Sequence, residues 1–442
     1  MAGRLSVFAV GFIAALAISY LADRQTVAGQ TPASNQARAG SMPTRFAAVP
    51  GEKGGQDIFG AYEVVADWPK DLTTLPGHQG WTFGAGQSVF AESPNRIFVL
   101  QRGELPNLGR PKGISLPQLG PNIQFPIGRL PWRDATTASP PGNGGTGQPA
   151  EGGMEAWEKG AGGRKFGVDA RWEHTVMIFD GQGNLVDSWN QYDSMMQRPH
   201  FVAISPYDPQ KHVWIVDDHK HVVHKFTNDG KTKVQTIGTY GVPGADETHF
   251  NRPTFMDWFP DGSFVVADGY NGTRVVKFDK DGKYLTAWGQ RGEAGKETRP
   301  GYFNNVHGVA VDPKTRRVFV NDRGNKRAQV FDENGKFLYE WSFGKDPADI
   351  HLFHIFSDGY LWAADRGTSK ILKYDLDGNF MYAWGTWGDF PGGMWGVHGM
   401  SVDQEGNFYV AEVDNGGAQK YRPRAGANPA MLVGKPIRSA WK

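Results

Sequence analysis

A motif that returns every 43 to 53 residues constrains this chain more than anything else in it. The clearest copies are FVVADGYNGTRVVKFDKDGKYLTAWG, VFVNDRGNKRAQVFDENGKFLYEWSFG and LWAADRGTSKILKYDLDGNFMYAWG. In each, an apolar strand ends in an acid (Asp268, Asp322, Asp365) and a second strand ends in an aromatic (Phe278, Phe331, Tyr374). A glycine-containing turn follows (Gly282, Gly335, Gly378), and a third strand ends near tryptophan (Trp288, Trp341, Trp384). Looser copies, VWIVDDHKHVVHKFTNDGK and NFYVAEVDNGGAQKYRP, lie on either side. The second-strand aromatics Phe179, Phe226, Phe278, Phe331, Tyr374 and Tyr421 stand 47, 52, 53, 43 and 47 residues apart, which makes six repeats. Two-residue alternation and Gly, Asn and Asp linkers exclude a helical solenoid. A period of this length with several strands per repeat predicts an all-β, six-bladed β-propeller.

Residues 57–442 are assigned to that propeller. The segment YEVVADWP, residues 62–69, reads as a strand with no blade before it and is a candidate to close the ring beside the last blade. Residues 430–434, AMLVG, compete for the same place. Closure hides sheet edges that would otherwise invite aggregation. A Gly/Pro-rich insertion over about residues 103–172, with a GNGGTG run, interrupts the first blade and is expected to cover one mouth of the channel.

Upstream, residues 1–29 place Arg4 before an apolar run and small residues after it, the pattern of a secretory signal peptide. An uncleaved membrane anchor is the other reading, since the run approaches the roughly 20 residues that span a bilayer. Either way the protein is expected to be exported, to the periplasm or beyond the cell, with a membrane partner only if the segment stays. Residues 30–56, rich in Ala, Gly, Pro and Ser, read as a flexible linker. The chain has no cysteine, so thiolate ligands, cysteine nucleophiles and disulfides are excluded. A formal charge of +1 provides no field for nucleic acid.

Aligning the repeats on the strand-end acids Asp217, Asp268, Asp322, Asp365 and Glu412 brings one position into phase 14 to 17 residues earlier. His200, Thr254, His307, His351 and His398 occupy it. Blades two, four and six thus carry histidine at the inner-strand start, about 120° apart around a six-fold ring, so three imidazoles can converge on the axis. Three nitrogen ligands with open positions suit a catalytic zinc ion. Space-filling, hydrogen-bonded channel histidines are the plain alternative for any one of them, and the phasing in alternate blades argues against it for the trio. His351, at the same site in blade five, is assigned to substrate binding.

A second phased set follows the strand-end position: Arg102, Arg323 and Arg366, with Tyr270 two residues past Asp268. Arginines there suit a carboxylate, and a tyrosine near a metal can act as a base. For Arg366 a salt bridge between blades is the favoured reading. In VDDHKHVVHKF, His219 and His221 are spaced to share one face of a strand; surface histidines explain the spacing equally well, and His221 is kept as a substrate contact or a residue supporting one. Serine-hydrolase elbows and nucleotide-binding loops are absent from the sequence.

With these residues in view, the chain resembles the peptidyl-α-hydroxyglycine α-amidating lyase family of NHL-repeat propellers from about Gln87 to Tyr421. The likeness is carried by Arg102 in a short RG, His200 in PH, and Asp268, Gly269 and Tyr270 in DGY. Arg299, Pro300, Gly301, Phe303, Val306 and His307 match an RPG-to-VH element, and Asp322 and Arg323 match DR. The last ligand position matches His398. The resemblance implies a zinc ion held by His200, His307 and His398, Tyr270 as base, Arg102 stabilising charge and Arg323 binding a small-molecule or peptide substrate. It implies cleavage of a carbinolamide C–N bond to a terminal amide and glyoxylate. The sequence departs from the family where Asn271 follows Tyr270 in place of cysteine, and where Gly399 replaces an acid linked to a structural calcium, which argues against that calcium. The other readings are a non-catalytic NHL propeller that binds a protein or polymer, and a lactonase-like hydrolase. The latter would call for oxygen ligands around calcium.

Overall fold

The computed structural model describes residues 57–107, 114–115, 124–125 and 171–441. The signal and linker segments of the sequence reading lie outside the described residues, as does most of the insertion. Six four-stranded antiparallel sheets make the six blades of a propeller. Blade one runs, in sheet order, Trp81–Ser93, Arg96–Pro106, Val176–Phe179 and Leu185–Ser188. Blade two begins at Pro199–Ile204, blade three at Pro253–Trp258, blade four at Val306–Val311, blade five at Ile350–Ile355 and blade six at Val397–Val402. The second strand of blade one continues to Pro106, and Glu104 pairs with Arg171, so the inserted stretch leaves the sheet later than Gly103.

Blade six settles the competition for closure. Its fourth strand is Tyr62–Val65, paired with Ala418–Pro423 in the register Tyr62 to Pro423 and Val65 to Lys420. The competing segment near residue 430 forms instead a short 3-10 turn, Pro429–Met431, and Val433 N–H donates to the Tyr62 hydroxyl at 2.7 Å. Among the described residues, no helix is long and apolar enough to cross a membrane.

The apolar core sits in the wedges between neighbouring blades. One cluster joins Phe98, Val176 and Trp189 of blade one to Val202, Ile215 and Phe226 of blade two. Another joins Phe319 and Val330 of blade four to Phe353 and Leu372 of blade five. The recurring glycine and tryptophan of the motif meet across such a wedge. Gly335, at φ +86 in its hairpin, abuts the Trp288 ring of blade three so closely that a Cβ would lie 2.7 Å from it. A left-handed turn and the lack of a side chain are both required there.

The strand-end acid of each repeat has a structural task. Asp217 accepts from the backbone N–H groups of Gln197 and Arg198, Asp268 from Asn251, Asp322 from Asn304, Asp365 from Asp349 and Glu412 from Trp395. In blade one Gln101 takes the same part, accepting from Gly84 N–H. Each pins the chain just before it enters the inner strand. Burial is the leading cause that raises these acids, Asp217 and Asp268 to about 6 and Glu412 to about 7.

Candidate active site

Every inner strand breaks register with its neighbour at one equivalent place. The slips fall between Gly86 and Ser88, Pro199 and Phe201, Pro253 and Met256, Val306 and Val309, Ile350 and Leu352, and Val397 and Gly399. Gln87, His200, Thr254, His307, His351 and His398 stand within those slips. A β-bulge re-aims a side chain that regular pleating would direct along a sheet face, so six residues are turned together toward the axis. Three of them, His200, His307 and His398, bring ring nitrogens within 4.8 Å of one another.

The orientation of each imidazole follows from its other nitrogen. His200 Nδ1 lies 3.1 Å from the Thr254 carbonyl, His307 Nδ1 2.5 Å from that of His351, and His398 Nδ1 2.7 Å from that of Gln87. A carbonyl only accepts, so Nδ1 carries the proton in all three and Nε2 offers its lone pair. Each acceptor belongs to the next blade, so the bond that sets the tautomer also joins two blades. Burial first, then His398 and His307, pushes His200 well below the usual imidazole range. For His307 burial and Arg323 do so, and for His398 burial and His351. Neutral, fixed imidazoles whose Nε2 atoms carry the lone pair fit a zinc ion by the chemistry of the donor set.

The Tyr270 hydroxyl completes this cluster, 3.1 Å from His200 Nε2 and 3.0 Å from His307 Nε2. Gly269 makes that placement available, because a Cβ there would lie 1.4 Å from the Val306 carbonyl oxygen, immediately before His307. On the far side of the trio, the Phe255 ring packs 5.0 Å from His200, 5.2 Å from His307 and 5.5 Å from His398. An apolar floor therefore lies under the histidines, and the polar residues lie above.

Above them is a buried group of arginines around one acid. Asp218 is fully buried, 3.2 Å from Arg252, 3.6 Å from Arg102 and 3.7 Å from Arg198. Burial opposes its ionisation, but Arg198, Arg252, His219 and Arg102 hold it well below the usual carboxylate range. Three guanidinium groups against one carboxylate leave excess positive charge. Arg102 is the least satisfied, with Nε and Nη2 buried and making no hydrogen bond. Burial and Arg198 lower it to about 9, the direction expected of a cation held out of water beside another. Unpaired buried donors of this kind are costly unless an anion meets them. The guanidinium carbons of Arg252 and Arg198 lie 4.4 Å and 5.7 Å from the centre of the Tyr270 ring.

The remaining candidates divide. His351 is buried beside the trio, its ring 4.9 Å from that of His398 and its Nε2 3.3 Å from Asp349 Oδ2. Arg323 forks onto the same Asp349 at 2.7 Å and 3.0 Å, so its donors are largely committed. Arg366 binds Asp414 at 2.8 Å through two nitrogens, the salt bridge between blades expected for it. His219 and His221 are not on a strand. They fall in the turn between Val213–Asp217 and Val222–Phe226, where His221 takes φ +57 and its Nδ1 accepts from Arg252 N–H at 3.0 Å. His221 thus supports the backbone of an arginine that lines the site. Asp218 and Phe255 escaped the sequence reading. The doubled acid of VDD was a usable signal for Asp218, whereas Phe255 reads as an ordinary apolar strand residue.

No family model matches the chain. Over 181 residues it is 31% identical to a peptidyl-glycine alpha-amidating monooxygenase of Mus musculus, a match that covers 39% of this chain and 18% of that protein. It is 32% identical over 159 residues to a probable peptidyl-alpha-hydroxyglycine alpha-amidating lyase of Caenorhabditis elegans, covering 36% and 43%. It is 34% identical over 175 residues to NHL repeat-containing protein 3 of Mus musculus, covering 38% and 48%. The match spans less than half the length of each of these relatives. Among solved structures, a streptogramin B lyase aligns with a TM-score of 0.42 and 11% identity over 79% of this chain and all of that one, a likeness too low to argue from. The chain is a six-bladed β-propeller related in sequence to proteins named as peptidyl-α-hydroxyglycine α-amidating lyases and to NHL repeat-containing proteins.

Proposed function

We propose that this protein is a zinc-dependent lyase that cleaves the C–N bond of an α-hydroxyglycine-type carbinolamide, or a related small hydroxylated amide, into an amide and glyoxylate. The observation that carries the reading is the meeting of three neutral imidazoles, a phenol hydroxyl and an under-partnered buried arginine at one point of the channel. His200, His307 and His398 would hold the ion through Nε2. Bound zinc would supply Lewis-acid polarisation of a substrate oxygen.

The chain's own groups account for the proton and the charge. Tyr270, acting as the phenolate, is placed to take the proton of the substrate hydroxyl and, as the phenol so formed, to pass it to the departing nitrogen. As the hydroxyl proton leaves, the O–H electron pair becomes the second bond of the aldehyde carbonyl, the C–N pair departs on nitrogen, and the amide nitrogen is protonated in turn. The two free donors of Arg102 suit the substrate carboxylate, and the excess positive charge around Asp218 favours negative charge developing beside the phenol. Phe255 keeps water from reaching the reacting atoms from below. The names of the lyase relatives support the same class of chemistry.

The test is glyoxylate release from α-hydroxyglycine compounds by purified, zinc-loaded protein, beside elemental analysis of wild type and a His200, His307, His398 triple alanine variant. Near-stoichiometric zinc that is lost in the variant, with glyoxylate formed only by wild type, is the expected result. Failure of reconstituted protein to hold metal at the trio would overturn the lyase reading in favour of a non-catalytic binding propeller.

A further inference from the structure

A second group of donor atoms lies outside the channel trio and shares no residue with it. Glu104 stands two residues beyond Arg102 on the second strand of blade one and is fully buried. Its Oε2 lies 2.8 Å from His78 Nδ1, and its Oε1 lies 2.5 Å from His174 Nδ1. One carboxylate therefore grips two imidazoles, whose rings are 4.9 Å apart. Both histidines are buried. With both Nδ1 atoms turned to an acceptor, both Nε2 atoms face away from it. His78 Nε2 lies 3.9 Å from the Glu173 carboxylate, and one donor atom from each of His78, Glu173 and His174 falls within 4.8 Å of the others.

Two further observations indicate a built arrangement. His174 adopts φ +57, an unfavourable backbone conformation for a residue with a Cβ, and its N–H is held by Asp193 Oδ2 at 3.2 Å. The donors come from two separate segments, the turn before blade one and the chain that re-enters the blade at Arg171, and the carboxylate behind them comes from a third, the second strand of blade one. Arg171 Nη2 lies 2.9 Å from Glu173 Oε2, an ion pair that a metal at this site would compete with.

We infer that His78, His174 and Glu173 form a second divalent metal site, with Glu104 as the carboxylate that orients both imidazoles. Two imidazole nitrogens and one carboxylate oxygen, with a position left open, suit zinc or a similar borderline ion. A carboxylate behind a ligating imidazole fixes its tautomer and raises its basicity, and here one residue does so for two. The ion would clip the turn around His78 to the re-entering segment at Glu173. The inference does not depend on the lyase reading.

The experiment is zinc binding to the chelator-stripped full chain, followed by dialysis against Zn2+ and by Co2+ absorption spectra. Wild type is expected to bind two equivalents. A His78→Ala, His174→Ala double variant and the His200, His307, His398 triple variant should each bind one, with different cobalt spectra. Glu173→Gln and Glu104→Gln, which preserve size, should each weaken one of the two sites by tenfold or more. Equal zinc in wild type and the double variant, or no zinc in the triple variant, would overturn the inference. So would unchanged affinities in both glutamine variants, which decide the matter if the double variant fails to fold. Loss of the trio's zinc alone would bear on the lyase reading and leave this site standing.

Discussion

Arg102 Nη2 lies 3.6 Å from Asp218 Oδ2, and neither atom makes a hydrogen bond. The pair attract one another but leave their best-directed contacts unused, which is the condition in which a guanidinium can accept a carboxylate without first breaking a hydrogen bond. Arg102→Ala is therefore expected to lower kcat/KM for a carboxylate-bearing α-hydroxyglycine substrate by a hundredfold or more, about 3 kcal/mol. Arg102→Lys should recover part of this, since it restores charge without the planar fork. Steady-state kinetics beside zinc analysis check the point, and a variant with unchanged kcat/KM would exclude Arg102 as the carboxylate partner.

The two roles around the Nε2 cluster separate by measurement. His307→Ala should abolish zinc retention at the trio, since two imidazoles alone hold the ion far less tightly. Tyr270→Phe should retain zinc and lose turnover by about 10²- to 10⁴-fold, the range for removing a general base. Full activity in Tyr270→Phe would end the assignment of that hydroxyl as the base.

Gly269 is expected to be intolerant although it touches no substrate. A methyl group there meets the Val306 carbonyl oxygen at 1.4 Å, so Gly269→Ala must displace Tyr270 from His307 or part blades three and four. Melting temperature and kcat should both fall, with a stability loss of a few kcal/mol. A variant that melts like wild type and keeps full activity would show that the backbone can shift at no cost.

Glu412 yields a pH-dependent stability difference with a definite sign. Burial raises it to about 7 in the fold, above its ordinary value of 4.5, so the folded state binds its proton more tightly than the unfolded chain. Its contribution is present at low pH and is lost as pH rises through about 7. Glu412→Gln removes that dependence, and Gln101 already serves the equivalent position of blade one. The variant should gain on wild type by on the order of 2 kcal/mol between pH 5 and pH 8. Thermal melts at the two values decide it, and a difference independent of pH would contradict the assignment.

Much of this was legible in the sequence because a propeller repeats its constraints. The acid, aromatic, glycine and tryptophan recur because each blade needs the same pin, the same wedge and the same hairpin. His200, His307 and His398 were found through phase alone. The bulge that turns them inward was not, since it is a property of pairing between strands. His219 and His221 were misplaced because two-residue spacing reads as a strand, while the positive φ at His221 marks a turn. His78 and His174 stand nearly a hundred residues apart with the insertion between them, and nothing local announces that Glu104 joins them.

Blade six has a consequence for the order of assembly. Each of the other five sheets is woven from strands in sequence order, whereas this one takes Tyr62–Val65 from ahead of blade one and the rest from beyond blade five. Tyr62 and Pro423 can find each other only when nearly the whole propeller has been made, and that long-range search adds contact order that slows folding. Until then the outer edge at Ala418–Pro423 and the Trp384 ring, later met by a tilted Tyr62 ring at 5.5 Å, stand open. The last strand to dock is thus made ahead of every other strand of the six blades, and a nascent ring waits unlatched for a partner it already carries.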